Sequence, residues 1–365
     1  MKKYKNISTV LLTGIVLAVL SAACWFKVPQ PYSYSERRRL ARMPKLSAET
    51  LRTGQFMSGF ESYTADQFPL RDSFRHLKAV SERYVFGKKD SHGIYCIDGN
   101  FSQLQYPMQE YRVMLNIRKI NQIQNRYLNN TDCHSYLAVI PDKNFFLAPL
   151  GHYPVMDYGS MEKRMIQGID AEYIPLYDLL SLEDYYRTDQ HWRQEKILDV
   201  AERIGSTMGS YVPLDYQEQV LEEPFYGAYV GQAALKAEPD AIHYLTGELL
   251  EQCLVTSYGN GSAEEVPVYD MEKAHGRDPY EMFLSGSDPL LVIENPQCAN
   301  GKELVVFRDS FGSSLIPLLV GQYEKITVVD LRYMQSSMLD SYVTFDHQDV
   351  LFLYSTLVLN NTISM

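Results

Sequence analysis

The chain has 365 residues, of which 45% are hydrophobic and 22% charged, so it holds enough apolar material for one large domain, or for one domain and a small companion, and is not a wholly disordered protein. Its net charge is −11, and because residues 1–30 contain four lysines and no acid, the remaining residues carry −15. This acidity excludes nucleic acids and anionic polymers as broad electrostatic partners.

The N-terminal segment has the composition of a membrane anchor. Three lysines among the first five residues precede an uncharged stretch from Asn6 to Phe26. This stretch is as long as a bilayer-spanning helix, which needs ~20 residues. The basic end stays in the cytoplasm, which places the rest of the chain outside the cell membrane. We interpret residues 1–30 as a cytoplasmic tip and an uncleaved transmembrane signal anchor. The alternative is a signal peptide cleaved after Ala23.

Residues 31–46 are a linker rich in Pro, Ser, Tyr and Arg, and its arginine run (Arg37 to Arg39) is either a lipid-headgroup contact or a solvated tether. A domain spanning residues 47–365 follows, and Ser47 predicts the start of its first helix. A second helix is predicted from about Asp72 to Val85. Its apolar residues are expected to face inward, namely Phe74, Leu77, Val80, Tyr84 and Val85.

The next elements have the pattern of an α/β protein. The Asp98-Gly99 pair predicts a hairpin, a helix is predicted from about Gln109 to Asn129, and Ser135 to Ile140 reads as a buried strand. Lys143 follows that strand at its carboxyl end, where open α/β sheets place their sites. It either contacts an acyl carbonyl or an acceptor sugar, or is an ordinary surface lysine.

A base and its orienting partner are offered by Thr188-Asp189-Gln190-His191-Trp192. In an extended segment the side chains of Asp189 and His191 point the same way, so one carboxylate can hold one imidazole. Trp192 is expected to pack on that ring or its loop, exclude water, and begin a helix that runs to about Met208. The alternative is that His191 is a structural histidine.

Residues 209–289 are irregular and rich in Gly, Pro, Tyr and acids, which is typical of an insertion that forms a substrate-facing lid or hairpin region. Two glycines in it, Gly227 and Gly286, are candidates for a backbone oxyanion donor. Each is otherwise a turn glycine.

Regular order then returns, with short apolar runs separated by helical segments; the runs are Leu290–Ile293, Leu304–Phe307, Ile326–Val329 and Val350–Tyr354. This pattern predicts a parallel sheet covered by helices on both faces.

A serine at a strand-to-helix corner is the strongest candidate nucleophile. The run Leu304–Phe307 ends in Arg308-Asp309-Ser310, and small residues lead from there into a helix at Leu315. The N–H of Ser310 then lies near a helix N-terminus, which suits a nucleophile that must stabilise an oxyanion. The alternative for Ser310 is a plain helix N-cap. Arg308 is expected to pair with an acid and support the site.

The histidines and cysteines are scattered without metal-ligand spacing, so no metal and no cofactor are predicted. The four cysteines outside the anchor allow three disulfide pairings, and free thiols are the alternative.

With these residues in place, the ectodomain resembles the DHHW family of bacterial membrane-anchored proteins, which are similar to the alginate and cellulose O-acetylation proteins with an SGNH-hydrolase-like domain. The resemblance rests on Asp66-Gln67-Phe68-Pro69-Leu70-Arg71-Asp72, Pro141-Asp142-Lys143, Asp189-Gln190-His191-Trp192, Phe225-Tyr226-Gly227 and Arg308-Asp309-Ser310-Phe311-Gly312. One departure is Gln190, where the family name expects histidine. The order is permuted relative to ordinary SGNH hydrolases, because Asp189 and His191 precede Ser310, as in the alginate acetylation proteins.

The resemblance implies an SGNH-hydrolase-like α/β fold and an extracytoplasmic O-acetyltransferase that acts on a cell-surface or secreted polysaccharide. By this likeness Ser310 accepts the acetyl group, His191 is the base and Asp189 holds its tautomer. It also implies a membrane-bound O-acyltransferase partner that supplies acetyl groups. Two alternatives remain: a carbohydrate esterase with the same three residues, and a non-catalytic glycan-binding or assembly protein.

Overall fold

A computed structural model describes residues 2–209 and 211–362 and divides the chain into two compact units. The first unit comprises the residues up to His92 together with Val230–Lys236, and the second comprises Gly93–Tyr229 and the residues from Ala237 onward.

The first unit begins with one long apolar helix, whose segment Asn6–Cys24 has a mean hydropathy of 2.3 and the length needed to cross a membrane. A two-stranded ladder and three helices follow it. The elements are α1 (Lys2–Phe26), β1 (Tyr32–Ser33), β2 (Arg38–Arg39), α2 (Ala48–Arg52), α3 (Gln55–Asp66) and α4 (Arg71–Tyr84).

Two predictions for this unit have different outcomes. Ser47 caps α2 in a reciprocal pair with Thr50, so the predicted helix start is confirmed. Helix α4 also forms where the periodicity placed it, but its apolar residues do not face inward. Phe74, Leu77 and Tyr84 are 45%, 61% and 75% exposed. The spacing predicted a helix correctly, but it carries no information on which neighbour covers the apolar face.

The second unit contains the remaining elements, one of which, α9, crosses the boundary between the units. In chain order they are β3 (Ile94–Ile97), β4 (Asn100–Gln103), α5 (Glu110–Ile123), β5 (His134–Ile140), α6 (Lys143–Leu147), α7 (Tyr158–Gly168), β6 (Glu172–Ile174), α8 (Leu198–Thr207), β7 (Gln217–Val220), α9 (Ala228–Ala233), β8 (His243–Thr246), α10 (Glu248–Gln252), β9 (Leu254–Ser257), β10 (Glu264–Val266), α11 (Met271–Ala274), β11 (Leu290–Glu294), β12 (Glu303–Arg308), α12 (Gly312–Leu315), β13 (Lys325–Val329), β14 (Asp349–Ser355) and α13 (Thr356–Asn361).

An eight-stranded mixed sheet with the order β10-β9-β11-β13-β12-β14-β5-β6 organises this unit. Strands β13, β12, β14, β5 and β6 are parallel, whereas β11, β9 and β10 join them through antiparallel pairs. The predicted α/β sheet is therefore confirmed, but its parallel assignment is wrong for Leu290–Ile293. Only residues 295–302 connect β11 to β12, and a parallel crossover needs a dozen or more residues.

The sheet is covered on both faces, as its apolar strands predicted. Successive residues of β12 alternate between two hydrophobic clusters, with Leu304 and Val306 in one and Val305 and Phe307 in the other. Each such fully buried side chain contributes about 1.5–3 kcal/mol through burial.

The elements around the D-x-H-W segment differ from the prediction. Trp192 lies in an isolated bridge with Tyr185, and the helix that it was expected to begin starts only at Leu198. In residues 209–289, β7 and β8 form a separate two-stranded antiparallel sheet, while β9 and β10 extend the edge of the main sheet. The predicted hairpin at Asp98-Gly99 forms from β3 and β4.

Candidate active site

The carboxyl ends of three neighbouring parallel strands form the edge at which the polar residues collect. Strand β12 leads into Asp309 and Ser310, β14 ends at Ser355, and β5 leads into Asp142. Because parallel strands present their carboxyl ends at one edge, residues far apart in the chain become neighbours there.

The turn that carries Ser310 is held by the side chain before it. Asp309 is fully buried; its Oδ1 accepts a hydrogen bond from the Phe311 N–H at 3.0 Å, and its Oδ2 accepts from the N–H and hydroxyl of Ser355 at 2.8 and 2.6 Å. The Ser310 side chain does not cap α12, which has no side-chain cap hydrogen bond. Its hydroxyl faces His191 instead.

Ser310, His191 and Asp189 form a continuous hydrogen-bonded chain. The Ser310 Oγ lies 2.7 Å from His191 Nε2, and His191 Nδ1 lies 2.6 Å from Asp189 Oδ1. Asp189 is fully buried and His191 is 5% exposed. A carboxylate only accepts, so the neutral ring carries its proton on Nδ1 and presents the Nε2 lone pair to the serine hydroxyl.

The remaining oxygen of Asp189 accepts from the Ala228 N–H at 2.7 Å, and the His191 N–H donates to Oδ1 at 3.2 Å. These donors fix the position of the carboxylate beside the imidazole. The side-chain nitrogen of Gln190, the residue that departs from the family pattern, lies 3.3 Å from His191 Nε2.

A tyrosine that sequence reasoning missed covers the imidazole. Tyr280 stacks on His191 with ring centroids 3.8 Å apart and planes within 7°, and its hydroxyl shares a 2.8 Å hydrogen bond with Ser314 Oγ. Burial raises the pKa of Tyr280 well above its usual range, so the ring stays a neutral phenol. No local signal marks this residue among the 28 tyrosines of the chain.

Trp192 ties the D-x-H-W segment to the serine turn rather than stacking on His191. Its indole N–H donates to the Phe311 carbonyl at 3.1 Å and to Ser314 Oγ at 2.9 Å, and its ring meets that of Phe311 edge to face. The side chain is fully buried, so it fixes the distance between the two loops.

Lys143 has neither of the positions expected for it, because it lies on the inner side of the D-x-H-W segment. It is 1% exposed, and its ammonium donates to the carbonyls of Tyr186 and of Arg187, the latter at 2.7 Å. Burial lowers the pKa of Lys143 to about 7. Its contacts hold the backbone that leads into Asp189 and leave no amine directed at solvent.

Gly227 allows two backbone segments to touch. A Cβ there would come within 2.3 Å of the Thr188 carbonyl oxygen, and the Gly227 N–H already donates to Thr188 Oγ1 at 2.9 Å. Asp240 accepts from the other side, from the N–H groups of Arg187 and Thr188 at 3.0 and 2.8 Å. The predicted oxyanion role of Gly227 is therefore wrong, because its N–H is committed to this network.

Gly286 and Arg308 are joined by a hydrogen bond behind the strand end that leads to Ser310. Gly286 has a φ of +73°, its N–H donates to the Phe283 carbonyl, and its own carbonyl accepts from Arg308 at 2.9 Å. It is thus a turn glycine and not an oxyanion donor. Arg308 is fully buried and lies 3.5 Å from Asp330, which confirms the expected ion pair. Burial lowers the pKa of Arg308 from its usual range.

Among residues 2–209 and 211–362, no group of three or more His, Cys, Asp or Glu side chains is arranged to hold a metal ion. No disulfide bond joins any two cysteines in the part of the chain that the structure describes.

Comparisons with known proteins agree with the resemblance that the motifs indicated. Residues 161–329, which include both the D-x-H-W segment and Ser310, match the family model described as DHHW protein. No curated protein sequence matches the chain.

Solved structures share the fold at low sequence identity. PatB1 of Bacillus cereus with a sulfonyl adduct is 18% identical, with a TM-score of 0.59 over 74% of this chain and 96% of that one. A DHHW family protein from Eubacterium siraeum is 19% identical, with a TM-score of 0.56 over 73% and 91%. The O-acetyltransferase domain of Pseudomonas putida AlgJ is 12% identical, with a TM-score of 0.46 over 74% and 93%. The first two likenesses establish the α/β fold with its central sheet flanked by helices.

Proposed function

We propose that the protein is a serine-dependent O-acetyltransferase that acts on a cell-surface or secreted polysaccharide. The observation that carries the proposal is the hydrogen-bonded chain Ser310–His191–Asp189, with 2.7 and 2.6 Å between its members. A serine hydroxyl is a weak nucleophile near neutral pH, and this geometry supplies the adjacent base and the orienting carboxylate that it needs.

In the first half-reaction the Ser310 Oγ attacks the carbonyl carbon of an activated acetyl group while its proton passes to His191 Nε2. The carbonyl oxygen becomes an oxyanion, for which we propose the Ser310 N–H as a donor because those of Gly227 and Gly286 have other acceptors. The intermediate collapses, the donor oxygen leaves with the proton from Nε2, and acetyl-Ser310 remains.

In the second half-reaction a sugar hydroxyl gives its proton to His191 Nε2 and attacks acetyl-Ser310. The Ser310 oxygen then leaves and takes the proton back, so no net proton is consumed. The Asp189 carboxylate stabilises the imidazolium in both halves without taking its proton. Tyr280 keeps the ring in the plane that serves both attacks.

The choice of acetyl as acyl group and of a polysaccharide as acceptor rests on the resemblance to the O-acetylation proteins, since the geometry specifies only acyl transfer. The same resemblance supports a membrane-bound O-acyltransferase partner as the source of acetyl groups. We further propose that α1 is an uncleaved anchor that leaves the catalytic unit outside the cell membrane.

The test compares the full-length, detergent-solubilised protein with its Ser310→Ala variant. Both are given an activated acetyl ester and a panel of oligosaccharides, and mass spectrometry follows free acetate and acetylated sugar. A sulfonyl fluoride should label Ser310 in the unaltered protein, with the adduct located by peptide mapping.

Acetylated sugar that depends on Ser310 would establish the transferase. Acetate alone, again dependent on Ser310, would indicate the esterase with the same residues. Equal amounts of both products from the unaltered protein and from Ser310→Ala would leave only the non-catalytic glycan-binding alternative.

A separate test concerns the anchor. Without detergent the protein should stay in the membrane pellet, whereas a soluble form beginning after Ala23 would show cleavage.

A further inference from the structure

The first unit leaves most of its apolar side chains uncovered. Among the described residues up to His92, the buried hydrophobic side chains are Leu40 and Ala79. Beyond α1 the exposed ones are Val28, Tyr34, Met43, Leu46, Leu51, Met57, Leu70, Phe74, Leu77, Tyr84, Val85 and Phe86. Soluble proteins rarely leave so much large apolar surface in contact with water. Such a surface marks a contact site for a membrane or for a protein partner.

On α4 these residues form a single stripe. Phe74, Leu77 and Tyr84 follow one another at intervals of three and seven residues, which places them on one helix face. Leu70, the N-cap residue of α4, adds an exposed apolar side chain at the start of the stripe. Ala79 is buried on the opposite face. Helix α4 is thus amphipathic with its apolar face outward.

Ion pairs hold α4 in this orientation. Arg71 and Arg75 both reach Glu36 of the linker, with nitrogen–oxygen distances of 2.6 and 3.3 Å. Asp66, which ends α3, accepts two hydrogen bonds from Arg38 at 2.9 and 2.6 Å. The linker is therefore packed against the polar side of these helices and is not a free tether.

The charge of this region is opposite to that of the rest of the ectodomain. Residues 27–92 contain 13 basic and 7 acidic residues, a net charge of +6, whereas residues 93–365 contain 18 basic and 38 acidic residues, a net charge of −20. A basic amphipathic helix is typical of a surface that binds anionic lipid headgroups.

Chain length keeps α4 close to the end of the apolar helix. The side chain of Gln67 makes two hydrogen bonds with the backbone of Gln30, of 2.9 and 2.8 Å, and α1 ends at Phe26. Four residues span at most ~14 Å, and the polar headgroup zone of one leaflet is about 5–8 Å thick. Gln67 lies three residues before Leu70, so the first turn of α4 is within reach of that zone.

We propose that α4 lies on the outer surface of the membrane, with its stripe of Leu70, Phe74, Leu77 and Tyr84 inserted among anionic phospholipids. The Asp66-to-Asp72 motif then has a defined task, which is to lock the linker so that α1 and α4 meet the same bilayer. This inference rests on α1 as an anchor and is independent of acetyl transfer.

The test uses the full-length protein in nanodiscs of phosphatidylglycerol and phosphatidylcholine, with tryptophan as a depth probe. Leu77→Trp places the probe on the stripe, and Arg83→Trp is the matched control on the polar side of the same helix, outside the Asp66-to-Asp72 motif. Trp25 and Trp192 are common to all variants, so their signal is subtracted with the unaltered protein.

Brominated lipid should reduce the added fluorescence of Leu77→Trp by about twofold, as for a side chain buried ~5–10 Å into the headgroup boundary, and should leave that of Arg83→Trp unchanged. Tyr84→Trp gives the same readout if Leu77→Trp does not fold. Equal quenching of both positions, or quenching of neither, would overturn the proposal, and the second result would assign the stripe to a protein partner.

A separate pair of measurements tests whether negatively charged lipid is needed. Replacing phosphatidylglycerol by phosphatidylcholine alone should weaken quenching at Leu77→Trp, and Lys88→Glu with Lys89→Glu should have the same effect in the anionic nanodisc. Quenching that ignores both changes would remove anionic lipid from the proposal.

Discussion

Replacement of Asp189 by asparagine tests the proposed role of the carboxylate because three donors converge on it. Its Oδ1 lies 2.6 Å from the ring nitrogen Nδ1 of His191 and 3.2 Å from the backbone nitrogen of the same residue. Its Oδ2 lies 2.7 Å from the backbone nitrogen of Ala228. Asparagine offers one oxygen and one NH₂ group. Whichever way the amide is turned, an NH₂ group faces either Ala228 or the imidazole.

Two separate losses follow. If the NH₂ faces His191, the ring must carry its proton on Nε2, and turnover should fall by about 10⁴-fold, as expected when the tautomer is wrong. A buried donor facing another donor should also cost about 1–3 kcal/mol of unfolding free energy. Asp189→Asn is therefore expected to fold, but with a lowered melting temperature.

The assay measures kcat for acetyl transfer together with thermal unfolding. Asp240→Asn is the matched control, because Asp240 accepts from Arg187 and Thr188 in the same segment but does not contact His191. We expect similar destabilisation from both variants and a large loss of kcat only from Asp189→Asn. Equal turnover in the two variants would refute the assignment of Asp189 as the orienting carboxylate.

Substitutions of four other residues around the site have predictable effects on kcat or on stability. Tyr280→Leu should lower kcat and remove about 0.5–1.5 kcal/mol by loss of the stack on His191, whereas Tyr280→Phe keeps the ring and should retain turnover; equal loss in both would argue against stacking. Lys143→Met should lower kcat by up to about 10²-fold because its two acceptor carbonyls lose their donor and the segment shifts; unchanged kinetics would contradict the positioning role. Gly227→Ala should destabilise the fold through its backbone clash, measured as a lower melting temperature. Burial raises the pKa of Asp142 from its usual value to about 6, so its contribution to unfolding free energy should fall by about 2 kcal/mol as pH rises from about 4 to about 6; Asp142→Asn should remove that slope from melting temperatures measured across this range, and an identical slope would refute the shift.

Features that depend on short stretches of chain were predictable. The apolar runs at β5, β12, β13 and β14 are buried on both sides in this unit, and burial on both sides needs only a continuous apolar stretch. The proximity of Asp189 to His191 likewise follows from their spacing of two residues in an extended segment.

Features that depend on distant partners were not predictable. The burial of Lys143 requires carbonyls 43 and 44 residues away, and the stack of Tyr280 on His191 joins residues 89 positions apart. Neither residue differs locally from an ordinary surface lysine or a packed tyrosine, so composition and periodicity carry no signal for them.

The sequence by itself determined the chemistry on offer and the local elements: a serine at a strand end, a histidine with its carboxylate, and an amphipathic helix at residues 71–84. Only the tertiary structure decided which groups meet and which faces are covered. It placed the Ser310 hydroxyl 2.7 Å from an imidazole 119 residues away, made β11 antiparallel, and turned the apolar face of α4 outward. The physical reason is that hydrophobic periodicity records which side chains avoid water locally, whereas contacts across the sheet edge depend on the packing of the whole chain.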